Sequence, residues 1–167
     1  VAAWTIGLAV RGPGKVAVFV GGARWHGHDL REAGFRAYLR EERPDLEVME
    51  TIVNLETRQL THDTTLALLT RHPDLRGIYV AGGGMEGAIA ALRQTRAPGD
   101  VVLVVNELTA ESRAALTSRW VTMVIATPLA DLCRMVFGLM TRNAISAAVS
   151  DETQHFLPAQ LHVPESV

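Results

Sequence analysis

The sequence has one cysteine, one lysine, no excess of positive charge and no apolar run long enough to cross a membrane. Cys133 has no second cysteine to pair with, so no internal disulfide framework is possible; it is read as a small apolar filler on a helix. Lys15 stands against fifteen arginines (16 basic residues less one), a bias of composition given no functional weight. With 16 basic and 18 acidic residues the formal charge is -2, and nothing marks the basic footprint by which a domain grips nucleic acid. No apolar run approaches the roughly 20 residues that span a bilayer, and no basic-then-apolar leader opens the chain, so no membrane partner is expected. The 167 residues, 48% of them hydrophobic, are enough for the core of a single compact domain.

Short apolar runs alternate with segments of helical period. "KVAVFV" (15–20), "LEVMETIV" (46–53), "RGIYVA" (76–81), "DVVLVV" (100–105) and "WVTMVIA" (120–126) predict five strands, and continuous runs of this kind suit a sheet covered on both faces. Between them, Leu30, Phe35, Tyr38 and Leu39 share one helical side before Pro44. Leu60, Thr64, Ala67 and Leu68 share another before Pro73; "MEGAIAALRQTR" and "AESRAALTSR" supply two more helices. Repeated βα units with short loops predict a doubly wound α/β domain with a mostly parallel sheet. "VAAWTIGLAV" suits the last turns of a helix that began earlier. "PLADLCRMVFGLMTRN" (128–143) predicts a helix whose apolar set, Leu129, Leu132, Met135, Val136, Leu139 and Met140, is too wide for a solvent face. "AISAAVSDETQ" reads as a connection, and "HFLPAQLHVP" as an edge strand, since Pro158 is barred from a central one.

"YVAGGGMEGAI" (79–89) raises the question of a nucleotide. Gly82, Gly84 and Gly87 spell GxGxxG, and Glu107 follows 20 residues after Gly87, where a dinucleotide site places its ribose-binding acid. That fingerprint belongs to the first βα unit of a dinucleotide fold, and here it falls in the third. No Lys, Ser or Thr follows the glycines as in a Walker loop. Glycines at a strand end also let a small ligand or another backbone approach closely, and the ligand wall is the preferred reading.

Taken in order, "GKVAVFVGG", "LREAGFRAYLRE", "LRGIYVAGGGMEGAIAAL", "VVLVVNELTAESRAAL" and "VTMVIATPLADLCRMVFGLM" resemble the second half of the effector-binding region of regulators in the lactose-repressor/galactose-repressor (LacI/GalR) family and of the related periplasmic sugar-binding proteins. "NELTAESRAAL" is similar to a His-Glu-Leu-Thr motif in a sugar-responsive subset of the regulators, which favours a regulator over a transport receptor. The resemblance implies a periplasmic-binding-protein-like clamp whose ligand, a small sugar or polyol, sits between two lobes. The chain would be the C-terminal lobe, 128–167 would be the crossover helix and terminal strand, and the other lobe and the helix-turn-helix that contacts operator DNA would lie outside it. It further implies a cytoplasmic homodimer, with the 128–143 helix seeking a partner.

By the same resemblance Arg31 matches an arginine that grips sugar hydroxyls, a role suited to a fixed fork of donors; a solvated arginine paired with Asp29 or Glu32 is the plain alternative. Gly82 and Gly83 replace an Asn-Asp pair of many relatives and would contribute backbone only. Thr127 stands where relatives often carry a larger polar residue. From the residues themselves, Trp25 could lay its indole on a sugar face or plug a core edge. Asn106 and Glu107, ending the fourth strand, can accept from hydroxyls, while Glu107 could instead cap the helix near Thr109 and Ser112. His26, His28 and Asp29 form "HGHD", too few ligands for a zinc set; hydrogen bonding of His26 to ligand or backbone is preferred, with no metal or cofactor. The G-x-S-x-G elbow is absent, and binding without catalysis is expected. A transport receptor and a nucleotide-binding α/β enzyme are the competing functions.

Overall fold

The computed structural model describes residues 1–22, 25–145 and 154–167. Its elements follow as α1 (Ala2–Ala9), β1 (Gly14–Val20), α2 (His26–Glu42), β2 (Leu46–Val48), β3 (Ile52–Val53), α3 (Arg58–Arg71), β4 (Leu75–Val80), α4 (Met85–Thr95), β5 (Val102–Asn106), α5 (Ala110–Thr117), β6 (Met123–Ala126), α6 (Leu129–Ile145) and β7 (Gln160–His162). One sheet runs β2-β1-β4-β5-β6-β7, with β3 also pairing β1. All pairings are parallel except β7 on β6, as the doubly wound α/β reading expects.

Strand alternation divides the core. Val16, Val18 and Val20 turn to one face, where they meet Ile6 of α1 and Phe35 and Leu39 of α2. Ala17 and Phe19 turn to the other, against Leu69 of α3, Ile89 and Leu92 of α4 and Leu116 of α5. Two buried faces explain why the strand sequences are continuously apolar. Arg43 ties α1 to this body: its Nη1 donates to the carbonyls of Gly7 and Val10, and its Nε and Nη2 grip Asp45.

Several expectations need correction. "LEVMETIV" is two strands, because β1 pairs β2 through Gly14–Val16 and β3 only through Phe19 and Val20, with the intervening residues leaving the ladder. The inward face of α3 is Thr61, Thr65 and Leu69, while Leu60 is exposed and Thr64, Ala67 and Leu68 are only partly covered. The reason is the close approach of α3 and α4 described below. Leu30 is exposed at the start of α2, and Cys133 is exposed rather than packed. Helix α6 shows Leu129, Leu132, Val136, Phe137 and Met140 to solvent. The edge strand forms at 160–162, after Pro158; the connection read over 144–154 falls mostly outside the described residues.

Candidate functional site

The carboxyl ends of β1, β4, β5 and β6 open on two adjoining cavities of about 510 and 430 Å³ that share Arg31, Asn106 and Glu107. The larger also meets Val1, Thr127, Pro128 and Leu157. The smaller holds Trp25, His28, Glu56, Gly82, Gly83 and Glu86. Arg31, Gly82 and Asn106 therefore share one concavity although they come from α2, the end of β4 and β5.

Each polar group there has a definite posture. Arg31 reaches from α2 to the end of β4 and donates from Nη1 to the carbonyl of Ala81 at 2.6 Å, which leaves most of its five donors uncommitted. Asn106 is 5% exposed. Its Nδ2 donates to the carbonyl of Ile125 at 3.4 Å, while its Oδ1 is fully buried and has no hydrogen-bond partner among the described residues. Glu107 has a left-handed backbone, φ 70, and its carboxylate accepts from the Thr127 hydroxyl at 2.7 Å and the Thr127 N–H at 3.1 Å. Thr127 thus orients Glu107. The cap of α5 is supplied by Thr109 and Ser112 reciprocally, so the Glu107 carboxylate is not the cap.

Trp25 sits at the amino end of α2, 46% exposed, with its ring 6.2 Å from that of His28. His26 is exposed and borders neither cavity. Its neighbour turns inward instead: His28 Nδ1 accepts from the Gly21 N–H at 3.1 Å, and Nε2 lies 3.8 Å from Glu56 Oε1. With Nδ1 accepting, the neutral ring carries its proton on Nε2, facing that carboxylate. Among the described residues no three His, Cys, Asp or Glu side chains gather as metal ligands. Tyr79, stacked on Phe35 at 5.1 Å, borders the larger cavity; burial, partly offset by Arg31, pushes its phenol up to about 12, so it stays protonated at neutral pH.

Glu56 is the residue that the sequence did not single out. It follows Asn54, which is 1% exposed and braces the turn: Oδ1 accepts from the Glu56 N–H at 3.0 Å, and Nδ2 donates to Thr61 Oγ1 and to the Gly83 carbonyl, both at 2.9 Å. The available signal was a short Asx turn, "NLET", leading from strand to helix at the ligand edge.

Residues 2–146 match the family of periplasmic binding protein domains. The chain belongs to that family. Among solved structures it is similar to an ABC transporter solute-binding protein from Agrobacterium vitis bound with α-D-tagatopyranose (24% identity, 98% of this chain and 54% of that one, TM-score 0.83). It is also similar to AraP, an arabinose-binding protein from Geobacillus stearothermophilus (14%, 98% and 59%, 0.85), and to a periplasmic solute-binding protein of an ABC transporter from Actinobacillus succinogenes 130z with bound D-allose (16%, 98% and 58%, 0.84). At these identities the likeness is one of fold, and the chain spans a little over half the length of these relatives. No curated protein matches it in sequence. Of the expected resemblance, the periplasmic-binding-protein part is the one this match carries.

In this periplasmic binding protein domain the glycine run is a packing device. Gly84, φ 88, starts α4 in the left-handed region, and a Cβ on Gly87 would fall 2.2 Å from the Arg58 carbonyl of α3. A Cβ on Gly82 would meet His28 Cε1 at 2.4 Å and Glu56 Oε1 at 3.0 Å. The amide a phosphate would seek, Gly83 N–H, donates to Glu56 Oε1 at 3.2 Å. A carboxylate occupying that amide repels a second anion, which argues against a nucleotide at this loop.

Proposed function

We propose that this domain is the ligand-clasping lobe of a solute-binding receptor for a small sugar or polyol, of the kind that serves an ABC transporter. The observation that carries the reading is the single concavity shared by Arg31, Gly82, Asn106 and Glu107. Guanidinium donors and an oriented carboxylate together match adjacent hydroxyls, each of which can both give and accept. The relatives bound with tagatose and allose support the same ligand class, and the shares covered leave room for a second lobe beyond this chain. In this reading the domain acts by binding: the Thr127 hydroxyl and N–H fix the Glu107 carboxylate and the Gly21 N–H fixes the His28 ring, so both face the cleft as oriented hydrogen-bonding groups.

A sugar-responsive regulator of the LacI/GalR kind is the second reading, favoured by "NELTAESRAAL" at the end of β5. It would place the protein in the cytoplasm, as a homodimer acting on operator DNA through another segment; the transport reading would place it outside. Release of operator DNA by sugar would support the regulator, and a cleaved export leader with a membrane permease partner the receptor.

The binding claim is tested by titrating the 15N-labelled chain with D-tagatose, D-allose and arabinose. Half a clamp leaves the ligand open to water, so millimolar affinity is expected. Shifts should centre on Gly82, Gly83, Asn106 and Glu107 and vanish in Arg31→Ala; shifts confined to other surfaces would overturn the assignment.

A further inference from the structure

The two chambers of the cleft differ in character. The smaller presents Trp25, His28, Glu56 and Glu86 around Gly82 and Gly83. The larger is walled by Leu30, Phe35, Tyr38, Ile125 and Leu132, and Arg31 and Glu107 border both. At about 430 and 510 Å³ each alone falls within the roughly 300–1,000 Å³ of small-molecule sites, so a single pyranose ring fills one chamber and not both. Resting on the reading of this cleft as a sugar site, we infer that its ligand is a glycoside with an apolar, aryl-type aglycone. The sugar ring lies in the smaller chamber, the aglycone in the larger, and the Tyr79 hydroxyl donates to the glycosidic oxygen between them.

Tyr79 is the first of two observations that carry this. It is 3% exposed and its ring is fixed by the stack on Phe35, yet its hydroxyl has no hydrogen-bond partner among the described residues. Unlike the Asn106 oxygen, this one is not sealed from solvent, and the cavity it borders is the larger chamber. A buried phenol ordinarily finds a partner, and the chamber is where one can reach it. The phenol is close enough to Arg31 to feel its charge, which sets the hydroxyl toward the junction that Arg31 shares with the smaller chamber.

Helix α2 supplies the second. Leu30, Arg31, Gly34, Phe35 and Tyr38 all border the larger chamber, and their spacing makes them one helical face with Gly34 at its centre. A Cβ on Gly34 would meet no atom within 4 Å. Glycine inside a helix weakens it, and no described neighbour requires it here; the space it clears belongs to the chamber, beside the rings of Phe35, Tyr38 and Tyr79. Leu30 and Leu132 are exposed at the same border. An apolar group laid on them gains by burial, whereas sugar hydroxyls would lose water there without hydrogen bonds in return. The walls come from α1, α2, β4, β6 and α6 of this chain, so the chamber is complete without a second lobe.

The test titrates the complete 15N-labelled chain with the phenyl and methyl β-pyranosides of D-glucose, D-galactose and D-allose, and with phenol. At least one phenyl glycoside should bind roughly tenfold tighter than its methyl counterpart and shift the Gly34 and Tyr79 amides together with those of Gly83 and Glu107. Gly34→Leu, which fills the chamber with a good helix former, should erase that advantage while the methyl glycoside binds as before. Tyr79→Phe keeps the stack on Phe35 and should weaken both glycosides several-fold without changing their ratio. Methyl glycosides binding as tightly as phenyl ones would overturn the aglycone and leave the sugar lobe standing, as would phenyl shifts centred on Phe137 and Met140 of α6. An advantage that survives Gly34→Leu, or glycosides indifferent to Tyr79→Phe, would overturn the assignment. Phenol matching the phenyl glycosides at Gly34 and Tyr79 would overturn it as unspecific apolar binding. No shift at these amides with any probe, or with the free sugars named above, would overturn both readings.

Discussion

Replacing Gly87 by alanine separates the packing account of the glycine run from a helix-propensity one by the sign of a stability change. A methyl at Gly87 would lie 2.2 Å from the Arg58 carbonyl, 2.6 Å from the His62 nitrogen and 2.9 Å from Thr61 Cβ. Ordinary contact begins near 3.4 Å, so α3 must retreat by about 1.2 Å (3.4 less 2.2). Backbone is what must move, and overpacking of that kind costs about 1–3 kcal/mol. Helix propensity acts oppositely and favours alanine by about 1 kcal/mol. The net expectation is destabilisation of about 1 kcal/mol, a melting temperature lower by about 2–4 °C for a chain this size. Gly34→Ala is the control: it lies within α2, and a Cβ there meets nothing within 4 Å, so propensity alone should raise stability by up to about 1 kcal/mol. Urea and thermal unfolding followed by circular dichroism measure both. A Gly87→Ala protein as stable as the parent, or more so, would refute the claim that α3 and α4 meet backbone to backbone.

Asn54→Ala removes three hydrogen bonds, one buried and two partly buried, and should cost about 2–3 kcal/mol in urea unfolding, with Glu56 losing its fixed aim. Thr127→Val keeps the side-chain shape but deletes the hydroxyl on Glu107; its stability should stay within about 1 kcal/mol of the parent, while any sugar affinity at Glu107 falls in the same NMR titration. Burial alone would raise the Glu32 carboxyl, yet the Thr51 hydroxyl and the Arg36 guanidinium outweigh it and hold it below its usual 4.5. A depressed carboxyl contributes stability above its unfolded value and loses it as pH falls through its folded value, so Glu32→Gln should flatten the stability loss of the parent below pH 4.5, measured by unfolding across pH. The bare face of α6 predicts self-association: light scattering should report oligomers that dissociate in a Phe137→Asp, Met140→Lys variant, and a clean parent monomer at high concentration would contradict this.

The strands were legible because a sheet buried on both faces imprints an unbroken apolar run, and β1, β4 and β5 each carry one. The inward face of α3 was not. Hydropathy chose Leu60 and Leu68, but α3 lies so near α4 that their facing positions admit only small residues, and Thr61 and Thr65 tuck their hydroxyls onto the carbonyls of Thr57 and Thr61. A helix that packs by close backbone approach hides its contact face from any scale that rewards large apolar side chains. Gly87 was the sequence's trace of that approach, readable only with its partner in view.

The site divides along the same line. Arg31, Asn106 and Glu107 stand at strand or helix ends that element order alone brings to one edge, so sequence sufficed to gather them. Glu56 could not be found that way, because its importance lies in space vacated 26 residues later at Gly82. The glycine run records the need for a missing side chain without naming the group that takes its place. Here the claimant is a carboxylate on the Gly83 amide, the group a phosphate-binding loop must keep clear. Exchanging Gly82 for asparagine would restore a side chain at the strand end only by displacing His28 and Glu56 together, which makes the glycine, the histidine and the glutamate one packed unit.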